Sequence, residues 1–189
     1  MTRALRVFVI ALLFVSCRST RPTGSPVAPL TAATSEEAMA QLRARRDSFE
    51  GLRSLMKVRA TTNGKTQSFR AQLHVQDARR MELIAYTPVG TTALTLRADG
   101  DAITSDPEVA PASFAFLRNA GLTPAETAML LLGIPPRDDL QYDVAVTGLR
   151  SATAAGVTVT YDPPSFPAQK VVVTRGDDRV EIEHLEVVR

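Results

Sequence analysis

Of the residues in this chain that could do chemistry, Cys17 stands apart, because it is the only cysteine among 189 residues. A lone thiol forms no internal disulfide and no cysteine-rich metal centre. The two histidines, His74 and His184, are far apart in sequence and have no second thiol beside them. His74 is in phase with the polar side chains of its segment and His184 with the apolar ones. Those phases fit a solvated histidine and a half-buried, hydrogen-bonded one rather than metal ligands. Asp138-Asp139 follows Pro136 and reads as a solvated turn, while Glu181 and Glu183 share the outer face of a strand. No nucleophile elbow, phosphate-binding loop or GxGxxG segment occurs. The expectation is therefore a protein that is not an enzyme, with no catalytic set, no metal and no cofactor.

The setting of Cys17 explains what its thiol is for. Arg3 and Arg6 precede an apolar run, Val7 to Val15, that ends at Ser16 and Cys17. Nine residues at about 1.5 Å rise cover roughly 14 Å, less than half of a bilayer core, so the run is a signal h-region and not a span. Leu13-Phe14-Val15-Ser16-Cys17 resembles the lipobox of bacterial lipoproteins, with Phe14 where a leucine is usual. That resemblance implies a signal peptide over 1–16 and a lipid-bearing Cys17 as the first residue of the mature chain.

Charge excludes another class. The 22 basic residues lose two with Arg3 and Arg6, matching the 20 acidic ones, so no basic footprint for nucleic acid survives. The cluster Arg43, Arg45, Arg46 could attract anionic headgroups, but Asp47 and Glu50 dilute it and a solvated helix face is the simpler reading.

The elements that must position any site follow. Residues 17–33 read as the lipidated cysteine and a flexible tether, with Pro22, Pro26 and Pro29 and no apolar period. Residues 34–189 read as one domain. Thr34 and Glu37 match a capping box, with Gly51 as the stop. From Ser54 the period becomes two, with Asn63-Gly64, Thr87-Pro88-Val89-Gly90 and Asp99-Gly100 as turns. A short helix is expected over 112–119. A clearer one spans 122–133, capped by Thr123 with Glu126 and apolar nearly all round. Four further strands follow around Tyr142 to Thr147, Val157 to Tyr161, Lys170 to Thr174 and Arg179 to Val188. A bulge is expected near His184-Leu185, where the alternation slips. The class is α+β: a curved antiparallel sheet of about 9–11 strands around an apolar helix. Periodicity leaves open whether its centre is filled or hollow.

Three stretches then match a known family. Met81 to Leu96 (MELIAYTPVGTTALTL) resembles the strand–loop–strand signature of LolB, a receptor for lipoproteins at the outer membrane. Leu130-Leu131-Leu132-Gly133-Ile134-Pro135 resembles that family's segment after its middle helix, and Phe166 to Val171 its C-terminal strands. The similarity runs from about Ser48 to Val188 and lacks the family's frequent tryptophans. It implies an open half-barrel with a helical lid and a cavity for acyl chains. It also implies a membrane-contact loop at Pro88, Val89 and Gly90.

The expected cavity residues are Met56, Val58, Phe69, Leu73, Leu83 and Leu94, with Leu96, Met129, Leu132, Tyr142 and Val144. The implied partners are a membrane, reached through the N-terminal lipid, acylated lipoproteins or lipids, and a soluble periplasmic LolA-type carrier. The chain is expected to be a monomer. Arg18 is not the aspartate that retains lipoproteins in the inner membrane, which points to the outer membrane, facing the periplasm. The functional expectation is acyl-chain binding and lipoprotein insertion. The alternative is an envelope scaffold with a filled core and no lipid ligand.

Overall fold

The computed structural model describes residues 24–108 and 121–189. The helix expected over 112–119 and Cys17 both lie outside them. Ten strands form one antiparallel sheet in the order β5-β4-β3-β2-β1-β10-β9-β8-β7-β6. The first half comprises β1 (Leu52–Thr62), β2 (Lys65–Val75), β3 (Arg80–Tyr86), β4 (Thr92–Asp99) and β5 (Ala102–Asp106). The second comprises β6 (Gln141–Ala145), β7 (Gly148–Ala154), β8 (Val157–Tyr161), β9 (Lys170–Arg175) and β10 (Asp178–Val188). Each half is a meander, and β1 pairs with β10 to join them. The outermost strands, β5 and β6, do not pair with each other, so the barrel stays open. Nine strand-to-strand steps of about 20–25° each supply the curl.

Local chemistry sets the turns. Asn63 and Gly64 both have positive φ (50° and 73°), as a tight primed hairpin requires. In β10 the register slips against β1 between Leu55 and Met56, so Leu185 is the extra residue of the expected bulge. One strand was not foreseen. Gly148–Ala154 (GLRSATA) lacks alternating large apolar residues, yet it pairs with both β6 and β8. Its first residue must be glycine, because a Cβ there would lie 2.5 Å from the Ser165 carbonyl carbon.

Two helices are described. Helix α1 (Ser35–Asp47) is capped by Thr34, whose side chain accepts from Glu37 N, and it buries Ala38 and Leu42. It ends at Ser48, three residues before the expected stop. The Ser48 N–H and hydroxyl both bond Ala44 O, closing the last turn earlier. Gly51, with φ of 96°, instead lets the chain enter β1. Helix α2 (Pro124–Leu131) has the complete capping box read from Thr123 and Glu126. It is buried by Ala125, Ala128, Met129 and Leu130. Helix α1 lies against β6 and β7, and α2 against β2, β3 and β4.

Residues 24–33, read as tether, lie against the domain. Val27 is buried, Pro26 bridges to Val188, and Arg189 N bonds Ser25 O. Arg45 donates to Ala28 O and Pro29 O, and Gln41 exchanges two bonds with the Thr31 backbone. Composition concealed this because the segment's partners are mostly side chains of α1 binding its backbone.

Candidate functional site

The inner face of the sheet carries a single apolar cluster that takes in strands from both halves and α2. Among the expected cavity residues, Met56, Val58, Leu73, Leu96, Met129 and Leu132 are buried in it. Phe69, Leu83, Tyr142 and Val144 are half-buried against it. Leu94 is half-buried towards the end of its strand. In the described state these side chains fill the centre.

The space that remains lies elsewhere. A void of about 70 Å³ sits between α2 and the second half of the sheet. Leu122, Leu130 and Leu131 line it from the helical side, with Val157, Val159, Val173, Val180 and Ile182 from β8, β9 and β10. None of the eleven expected residues lines it. Its one polar side chain is Thr127, whose hydroxyl is enclosed and has no hydrogen-bond partner among the described residues. Phase identified these strands as apolar inside. What sequence could not supply was the placement of α2, whose body packs on β2–β4 while side chains of β8–β10 border the void.

The far end of α2 is latched. Tyr161 Oη donates to Leu130 O at 2.7 Å, and His184 Nε2 bonds Leu131 O at 3.0 Å. A carbonyl only accepts, so Nε2 carries the proton and Nδ1 accepts from Ser54 Oγ at 2.7 Å. Ser54 is completely buried. Burial pushes the His184 pKa down to about 4, so the ring is neutral at pH 7. Burial likewise raises the Tyr161 phenol well above its ordinary value. On the other side of the core Tyr142 donates to Arg137 O, and burial pushes its phenol up to about 12. All three groups are therefore fixed hydrogen-bonding partners rather than proton-transfer agents at neutral pH.

The β3–β4 turn has the geometry of an exposed apex. Thr87 N bonds Thr91 O at 2.8 Å, the two threonine hydroxyls meet at 2.7 Å, and Gly90 N returns to Thr87 O. Gly90 supplies the positive φ of 86°. Val89 at the tip is 85% exposed, so it is not folded back on a neighbouring strand. His74 lies on the outer face, and burial with the nearby Arg53 guanidinium holds its pKa below the ordinary value. Asp138 is not a bare solvated turn residue. It takes Arg43 at 2.9 Å and Arg46 at 3.0 Å, which tie α1 to the loop after α2. These pairs are exposed to solvent, so they position α1 more than they stabilise it. They also occupy two members of the arginine cluster. Arg45, the third, stacks 4.4 Å over the Phe166 ring.

An open antiparallel half-barrel closed over an apolar helix is the class of fold that the likeness to LolB implied. The chain itself belongs to the family described as protein of unknown function DUF3261, whose model matches residues 54–186. No curated protein matches it significantly. Solved structures similar to it include a LolA superfamily protein from Nitrosomonas europaea, at 8% identity and TM-score 0.47, covering 84% of this chain and 94% of that one. A candidate outer membrane lipoprotein-sorting domain from Vibrio parahaemolyticus matches at 9% and 0.46, covering 81% and 92%. A DUF1329 family protein from Desulfovibrio piger matches at 10% and 0.48, covering 82% and 93%.

Proposed function

We propose that this chain is a lipid-anchored envelope protein that binds the acyl chains of lipoproteins or other lipids between α2 and the second half of the sheet. In this reading Cys17 carries the anchor and the bound chains pass to the outer membrane. A soluble LolA-type carrier is the source of the cargo. The observation that carries it is the void beside α2, lined by hydrocarbon and by one hydroxyl with no partner among the described residues. Each methylene moved from water into such a space is worth about 0.8 kcal/mol, which a filled core cannot offer. The void of about 70 Å³ is a seed for the site and not the whole of it. Loading swings the N-terminal end of α2 off the strands while Tyr161 and His184 hold its C-terminal carbonyls. Leu73, Leu96 and Met129, now core, then become lining. Release follows where the Pro88-Val89-Gly90 apex meets bilayer, which gives the chains equivalent burial.

The second reading, an envelope scaffold without lipid, is favoured by that same small volume, since ligand pockets commonly span about 300–1,000 Å³. A fluorescent acylated lipopeptide titrated against a soluble form starting at Arg18 separates the two. That form retains every described residue, and circular dichroism verifies its fold. Saturable binding that vanishes for the unacylated peptide supports acyl transfer. No binding of either peptide by the folded protein rejects it in favour of the scaffold.

A further inference from the structure

A second concavity, about 840 Å³, is lined mostly by side chains on the face of the sheet turned away from α2, with Val58, Phe69 and Ile182 of the apolar cluster also bordering it. It crosses β3, β2, β1, β10 and β9, and antiparallel register orders its side chains in one row. Tyr86 stands opposite Arg70, Arg70 opposite Lys57, Lys57 opposite Glu183, and Glu183 opposite Lys170. One register step along, Arg59 stands opposite Glu181. Both acids are already engaged: Glu183 holds Lys57 at 3.2 Å, and Glu181 holds Arg179 at 2.9 Å. Arg59, Arg70 and Lys170 are exposed and have no ion-pair partner within 4.0 Å among the described residues. A chain whose mature formal charge is balanced thus gathers a local positive excess here. Beneath the row, Leu55 is only 7% exposed and forms an apolar floor.

The groove does not end in open solvent. Thr87, Pro88 and Gly90 close one end of it, so the exposed Val89 apex and the basic row belong to one continuous surface. An apolar point beside unpaired cations is the combination that holds a protein to an anionic bilayer, since either signal alone is weak. We infer that this groove is a docking site for the phosphate headgroups of an anionic bilayer, with Arg70, Lys170 and Arg59 as the headgroup contacts and Val89 inserted beside them. The inference rests on the membrane-contact part of the proposed function, not on the void beside α2. Docked this way, the domain presents one fixed side to the membrane.

The test is co-sedimentation of the soluble form with phosphatidylcholine vesicles, with and without phosphatidylglycerol, at low and high salt. The expected result is binding to the anionic vesicles that high salt abolishes. The Arg70→Glu, Lys170→Glu double variant should bind roughly tenfold or more weakly. Arg150→Glu, on β7 and outside the groove, should bind as the parent does. Equal binding to neutral vesicles, no binding at all, or equal loss in Arg150→Glu overturns the inference. So does full competition by free glycerol phosphate, which would make the groove a site for a soluble anion. Lipopeptide binding by the double variant keeps the two claims apart. Vesicle loss with acyl binding intact supports the groove. Vesicle binding by a parent that takes no acyl chain leaves the groove standing and removes the cavity.

Discussion

The two halves of the sheet face the same helix and are filled differently. Helix α2 rests on β2, β3 and β4, where Leu73 and Leu96 are almost wholly buried. Across the seam at β1 and β10 it stands off, and Val159, Val173 and Val180 border a void instead of a neighbour. Both halves are meanders of similar residues, so the difference comes from where the helix is fastened. Its carbonyl end is held by Tyr161 and His184. Its body leans towards the larger side chains of the first half.

That asymmetry can be broken by mutation. The largest effect is expected from Leu73→Ala, which opens a cavity in the filled half and should cost about 3 kcal/mol in urea unfolding. Val159→Ala removes atoms that already border empty space, so it should cost less per carbon, about 1–2 kcal/mol in all. Equal costs per carbon would mean that the halves are equally filled.

The latch can be tested through pH. His184 is neutral when folded, with a pKa near 4, but takes a proton near 6.5 when unfolded. The unfolded state therefore binds more protons between those values, and stability falls as pH drops from about 6.5 towards 4. Relative to pH 7 the loss should reach on the order of 3 kcal/mol near pH 4. His184→Gln should flatten that slope, leaving only the carboxylate part, and parallel slopes would mean that the ring is not enclosed in solution.

Thr127→Val sharpens the comparison at the smallest scale. It removes the unpartnered hydroxyl from the void and should be neutral or stabilising by up to about 1 kcal/mol. A clear loss of stability would mean that the hydroxyl has a partner. Acyl lipopeptide binding measured on the same variant reports whether that hydroxyl serves a ligand.

What could be read from sequence was what neighbours in sequence decide. The Thr123–Glu126 cap, the Asn63-Gly64 hairpin and the Leu185 bulge each need only a few consecutive residues. Strand β7 was hidden because its stability comes from two flanking strands and not from its own alternation. The basic row was hidden for a related reason. Arg70, Lys57 and Lys170 come from three strands, and only register sets them side by side. The void was hidden because it depends on which strands α2 comes to rest on, which no pattern of apolar residues encodes.

If Cys17 carries the proposed lipid, the docking of residues 24–33 along α1 changes the mechanics of the molecule. Were all of 17–33 loose, the domain could wander some 55 Å from its lipid. With the chain moored from Gly24 onward, the seven steps from Cys17 span at most about 25 Å, however they are arranged. A domain of this size is itself about 40 Å across. So anchored, it would behave less like a float on a line than like a boat tied at the bow, free to pivot but always within its own length of the quay.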